Sequence, residues 1–99
     1  MRFDIVLAPE AAEDLTRLKA NVRAEVHTAM QVHLRHDPGK TSRSRSRIKR
    51  LRGVRRPQFR LRVGEVRVFY DVSAETVEVL AIVAKSEAEA WLAQFGEAQ

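Results

Sequence analysis

From Phe59 to Tyr70 apolar and polar residues alternate with almost no break on either side of Gly64-Glu65. That period of two is the mark of half-buried strands, and a glycine-first dipeptide between them suits a two-residue II′ turn. The pairing follows from the turn: Val63 opposite Val66, Arg62 opposite Arg67, Leu61 opposite Val68, Arg60 opposite Phe69, Phe59 opposite Tyr70. One face of this hairpin then holds Phe59, Leu61, Val63, Val66, Val68 and Tyr70; the other holds Arg60, Arg62, Arg67 and Phe69. Upstream, "RFDIVLA" alternates loosely and predicts a first strand. Pro9 suits the first turn of a short helix with Leu15 and Leu18 on its buried stripe. Asn21 is the expected cap of a second helix, where Val22, Val26, Met30 and His33 or Leu34 recur at helical spacing to about Arg35. "HDPGK" ends it.

"TSRSRSR" is either a basic loop or the lead-in to a strand at "RIKRL", and "GVRRPQ" turns the chain into the hairpin. "TVEVLAIVA" is apolar on both faces, as expected of a strand covered on both sides. "SEAEAWLAQFG" predicts a last helix, with Ser86 and Glu89 as a capping box and Gly96 as a left-handed terminator. Ala88, Trp91, Leu92 and Phe95 form its apolar face. The order predicts an α+β fold: an N-terminal strand and helical hairpin packed on a mostly antiparallel four- to five-stranded sheet, with a C-terminal helix. No repeat or linker divides residues 1–99, so one domain is expected.

Composition narrows the chemistry. The 99 residues, 44% hydrophobic, suffice for one core without staples. The absence of cysteine excludes a disulfide framework, a zinc–thiolate site and thiol catalysis. No apolar run approaches a membrane span, and "MRFDIVLAPE" lacks a signal peptide's apolar region, which predicts a cytoplasmic protein without a membrane partner.

Charge changes the picture more. Twelve of the eighteen basic residues lie between Lys40 and Arg67, where the only acid is Glu65, while the flanks are net negative. Segregation of this kind points to a polyanionic partner, nucleic acid or acidic protein. The hairpin sharpens the point. Like charges opposed across a ladder, about 5 Å apart, repel by roughly 1–3 kcal/mol at intermediate dielectric. A merely solvated face would be built as well from lysine, threonine or mixed charges. An incoming phosphate relieves the repulsion through bidentate contact with arginine, and Phe69 on the same face offers a platform for a base.

The basic run from Arg43 to Arg56 reads as a phosphate-tracking arm, with Lys49 and Arg52 closest to the strand framework. His33 and His36 have the i, i+3 spacing of a helical ligand pair, but neither cysteine nor a carboxylate cluster accompanies them, so no metal is expected. Ser86 reads as a cap and Trp91 as packing. Lys85 ends the long strand, where functional side chains often sit.

Together, "FDIVLAPEAAEDLTRL", "IKRLRG", "FRLRVGEVRVFYDV" and "VEVLAIVAKSEAEAW" resemble, in that order, the RelE/ParE superfamily of toxins from bacterial type II toxin–antitoxin modules. The resemblance spans nearly the whole chain and is most specific in "RLRVGEVRVFYDV". It implies a small α+β toxin whose sheet cradles nucleic acid. In the RelE branch this means a metal-independent, ribosome-dependent mRNA endonuclease (mRNA interferase) that leaves a 2′,3′-cyclic phosphate. By position, Arg60, Arg62, Arg67 and Lys85 correspond to the catalytic set, while Lys49, Arg52, Arg55, Arg56 and Phe69 are the expected nucleic-acid contacts. No cofactor or metal is implied. The implied partners are mRNA on the ribosome and an acidic antitoxin, with toxin and antitoxin forming a hetero-oligomer. Where many active members carry a His or Arg pair and then a Tyr, this chain reads "AKSEAEAW". That departure keeps two alternatives open: a ParE-like, non-catalytic inhibitor of DNA gyrase, or a degenerate toxin that only binds antitoxin or nucleic acid.

Overall fold

The computed structural model describes residues 2–41 and 47–99. The elements run β1 (Asp4–Leu7), α1 (Pro9–Arg17), α2 (Ala20–Leu34), β2 (Ile48–Arg50), β3 (Val54–Arg56), β4 (Phe59–Val63), β5 (Val66–Val72) and β6 (Thr76–Ala84), then a 3-10 turn (Lys85–Glu87), α3 (Ala88–Phe95) and β7 (Glu97–Ala98). Five strands form one sheet in the order β1-β6-β5-β4-β2, parallel only between β1 and β6. This is the expected α+β architecture. The segment "SRSRS" (residues 42–46), with Arg43 and Arg45, lies outside the described residues.

The hairpin of β4 and β5 has the register that its alternation predicts, from Phe59 opposite Tyr70 to Val63 opposite Val66. Gly64, at φ +55°, supplies the positive angle that the II′ turn demands of its first residue. The inner face of the sheet packs on α1 and α2, where Leu61, Val63, Val68 and Tyr70 meet Ala11, Val26, Met30 and Leu34. Tyr70 is fully buried, and its hydroxyl donates to the Pro38 carbonyl at 2.6 Å.

β6 serves both faces through one irregularity. Phe69 pairs with Ala81 but Tyr70 with Val79, so Leu80 is the extra residue of a bulge. Val77, Val79 and Ile82 therefore all reach the inner core, while Ala81 sits beside Phe69 on the outer face. β1 ends opposite Val79, and beyond it the Asp14 carboxylate of α1 accepts the Ile82 N–H at 3.0 Å.

Three expected helix ends differ. α2 begins at Ala20, one residue before Asn21, with no side-chain cap. The join is instead closed from inside α2, where Arg23 Nη1 donates to the carbonyls of Thr16 and Leu18 at 3.3 and 3.2 Å, occupying acceptors at the end of α1. Ser86 lies inside the 3-10 turn and caps nothing; α3 starts two residues later without a side-chain cap. Gly96 has φ −68°, not a left-handed angle, and leads straight into β7, which pairs with β3 in a second, two-stranded sheet. A Cβ there would lie 2.6 Å from the Leu92 carbonyl oxygen, so glycine is needed for close approach. Among the described residues, no helix is long and apolar enough to cross a membrane.

Candidate nucleic-acid interface

The outer face of the sheet is where the basic residues meet. β2 lies beside β4 with Lys49 opposite Arg60, and β4 beside β5 with Arg62 opposite Arg67. Register alone therefore places Arg60, Arg62 and Arg67 on one side of the sheet, as the hairpin pattern requires, and the pairing of β2 with β4 adds Lys49 to that side. None of the four makes an ion pair with a carboxylate among the described residues.

The four are not equivalent. Arg60 is half-buried, and its Nε is enclosed with no acceptor among the described residues. Burial, then the charges of Arg67 and Arg62, push its guanidinium below the usual arginine range. A cation so placed lacks a counter-charge, and an enclosed, unsatisfied donor is costly to maintain. Arg67 is 8% exposed, and its Nη1 donates to the carbonyls of Gly64 and Val66 at 2.8 and 3.1 Å. One of its nitrogens thus braces the hairpin turn. Arg62 and Lys49 are exposed and supply reach and charge.

Lys85 arrives at the turn end of this seat. Its backbone N–H donates to the Glu65 carbonyl at 2.8 Å, which anchors the 3-10 turn beside the hairpin and brings Lys85 near the Arg62–Arg67 pair. Arg52 lies in the turn after β2, exposed, at the opposite end of β4. Lys85 and Arg52 thus lie off opposite ends of β4, with the four strand cations between them.

Three expected contacts are placed elsewhere. Arg55 pairs with Glu97 at 2.7 Å, and Arg56 pairs with Asp71 and Glu78, both at 3.0 Å. These two guanidiniums are already matched by the chain's own carboxylates, which come from β5, β6 and β7. Phe69 is no open platform. It is 1% exposed and lies under Trp91, ring centroids 5.0 Å apart and planes 7° from parallel. The reason is that α3 crosses the outer face and needs apolar partners there, and Phe69 is among the few that face offers.

The sequence reading overlooked Gln58, Asp71, Glu78 and Glu97. Asp71 accepts the Gln58 N–H at 2.7 Å, while the Gln58 side chain accepts the Val72 N–H at 2.8 Å. The available signal was weak: Asp71 and Glu78 sit at outward-facing strand positions, but nothing local says which arginine they meet.

No curated protein matches the chain. Residues 5–89 match the family described as ParE toxin of type II toxin–antitoxin system, parDE. Similar solved structures include the RelBE2 toxin–antitoxin complex of Mycobacterium tuberculosis, at 21% identity and TM-score 0.65, covering 85% of this chain and 99% of that one. The archaeal RelE–RelB complex of Pyrococcus horikoshii OT3 aligns at 18% identity and TM-score 0.67, over 86% and 97% of the two chains. The RelB–RelE complex of Methanococcus jannaschii aligns at 15% identity and TM-score 0.65, over 87% and 96%. The fold is thus shared with these toxins, and the family match spans most of the sequence: the chain belongs to the ParE toxin family of the RelE/ParE superfamily, the toxins of type II toxin–antitoxin systems.

Proposed function

We propose that this toxin is a RelE-like, ribosome-dependent mRNA endonuclease that arrests translation in the cytoplasm. The observation that supports it is the seat of Lys49, Arg60, Arg62 and Arg67, four cations on one sheet face with no carboxylate paired to them among the described residues. RNA phosphate is the matching counter-charge. In this reading the ribose 2′-OH gives its proton to solvent water as its oxygen attacks the adjacent phosphorus, the bond to the 5′-oxygen breaks and that oxygen takes up a proton, and a 2′,3′-cyclic phosphate and a free 5′-OH result. Arg60 and Arg62 hold the phosphate and stabilise the charge that grows on its oxygens, an electrostatic contribution that needs no reorganisation during reaction. Arg67 keeps the turn in place and adds charge beside it. Lys85 gives a proton to the departing 5′-oxygen or contacts the transition state, and Lys49 and Arg52 guide the strand. In this reading an acidic antitoxin covers the seat and forms a hetero-oligomer with the toxin; the structurally similar RelB–RelE complexes support a toxin–antitoxin assembly.

The experiment is purified toxin on translating ribosomes, read by primer extension of the message. Codon-positioned cuts that disappear in Arg60→Gln are expected. Intact message at saturating toxin overturns the reading. Unchanged cutting by Lys85→Ala removes Lys85 from the mechanism.

One observation favours a second reading, a ParE-like inhibitor of DNA gyrase that catalyses nothing. Tyr70, the chain's single tyrosine, is buried on the inner face, and burial pushes its ionisation far above the usual phenol range. It cannot serve the outer face in proton transfer. Loss of gyrase supercoiling activity with intact message would decide for this reading.

A further inference from the structure

α3 divides the outer face of the sheet in two. On one side lie Lys49, Arg60, Arg62 and Arg67, which make no ion pair among the described residues. On the other, a cleft of about 390 Å³ opens between Pro9, Leu80, Trp91 and Phe95. Its size falls within the range of about 300–1,000 Å³ typical of ligand and side-chain pockets.

Two features make this cleft unlike an ordinary surface dip. The first is exposed apolar area. Among the described residues, Val6, Val32 and Phe95 are the exposed large apolar side chains; Phe95 lines the cleft, and Val6 lies beside it on β1. Phe95 lines the cleft at 57% exposure, and Val6, 49% exposed, is the register partner of Glu78 on the same face. Apolar surface gathered in one place is costly to leave in water and marks a contact site. The second is charge. Glu10, Glu78, Glu97 and Arg56 also line the cleft. Arg56 is shared between Asp71 and Glu78, and Arg55 is taken by Glu97. Four carboxylates, Glu10 included, therefore face two guanidiniums, an excess of two negative charges.

We propose that this cleft docks an amphipathic segment of a partner protein, one that presents an aliphatic or aromatic anchor flanked by lysine or arginine. The anchor covers Leu80, Trp91 and Phe95; the flanking cation meets the surplus carboxylates or the faces of the Trp91–Phe95 pair, whose ring centroids are 5.6 Å apart. An acidic segment is repelled here and drawn to the far side of α3, so the two halves of the outer face select opposite partners. The inference stands apart from any reading of the cation seat as an RNA site.

The test uses the full chain and its only tryptophan, Trp91, as the reporter. Two short synthetic helical peptides share leucine and phenylalanine anchors; one has lysines flanking them and the other glutamates. The lysine peptide should shift Trp91 emission saturably and the glutamate peptide should bind more weakly. Glu10→Lys should weaken the lysine peptide about fivefold, the scale of a rim charge pair. Phe95→Ser should weaken it at least as much, and Val32→Ser, on α2, should leave it unchanged. Glu10 and Phe95 are exposed, so these variants keep the fold, which melting curves verify. Absence of a saturable shift, equal or tighter binding of the glutamate peptide, or full affinity in Phe95→Ser overturns the proposal. So does an emission change driven by protein concentration alone, which would assign the cleft to a second copy of the chain.

Discussion

Arg60 and Arg62 on β4 and Arg55 and Arg56 on β3 come from one basic run and lie only a few residues apart. They nevertheless end in opposite electrostatic states. Arg55 and Arg56 are each within 3.0 Å of carboxylates that reach them from β5, β6 and β7. Arg60 and Arg62 have only cations as charged neighbours across the ladder, with Lys49 opposite one and Arg67 opposite the other. Density of arginine is thus no guide to which arginine awaits a partner. The deciding quantity is where the acids land, and that is settled by the strand order and by α3, which separates the two groups.

The largest effect expected from this contrast is on function. In the double variant Arg60→Gln/Arg62→Gln, two charge-assisted phosphate contacts are lost, so RNA cleavage, or RNA affinity where cleavage is slow, should fall by about 100-fold or more. The salt dependence of RNA binding should flatten by about one unit of log–log slope. Thermal stability should stay level or rise, because the variant removes like-charge repulsion and the enclosed, unpartnered Nε of Arg60. A double variant that melts well below the parent would mean that these arginines are structural after all. The contrast would then collapse.

A smaller effect, of the opposite kind, belongs to the paired group. Arg56→Ala leaves Asp71 and Glu78 without their cation, and Asp71 is only 20% exposed. The loss should be about 1–2 kcal/mol after allowing for the solvent screening of a half-exposed arginine. For a domain of this size that is a fall in Tm of roughly 5–10 °C. RNA cleavage per folded molecule should change little. If Arg56→Ala matched the Arg60/Arg62 variant in lost cleavage with Tm unchanged, the whole basic run would be one interface.

What could be read in advance follows the same line between local and distant. The hairpin register was legible because a two-residue turn and a period of two leave one alignment that buries Phe59, Leu61, Val63, Val66, Val68 and Tyr70 together. Arg60, Arg62 and Arg67 follow from that register with no further information, whereas Lys49 joins them only through the pairing of β2 with β4. The fate of Phe69 does not, since it depends on α3 folding back across the sheet to place Trp91 over it. Arg55 and Arg56 looked available because Glu97 is forty-two and Glu78 twenty-two residues further along the chain. Ser86 and Glu89 have the spacing of a capping box, but the chain leaves β6 through a 3-10 turn anchored on Glu65, which spends Ser86 before the helix begins. Pairs as short as β3 with β7 carry too few residues for any periodicity to show.

The smallest effect concerns the proton of Asp71, and its sign separates two forces acting on the paired cluster. Burial raises its carboxyl above the ordinary value; Glu78 and Glu97 raise it further, while the Gln58 N–H and Arg56 pull it down. The net shift is upward, so the native chain holds this proton more tightly than the unfolded chain does. Stability from this linkage is fully present below the unfolded value, about 3.9, and is lost as pH rises through the folded value. Asp71→Asn keeps an acceptor for Gln58 but cannot titrate. The stability of the parent relative to Asp71→Asn should therefore decline as pH rises from below the ordinary carboxylate value through the raised folded one, and by less than the loss in Arg56→Ala. Urea unfolding of both proteins across that range measures it. A relative stability that grows with pH would show the attraction of Arg56 outweighing burial. The paired half of the outer face would then be held by charge as strongly as the open half is strained by it.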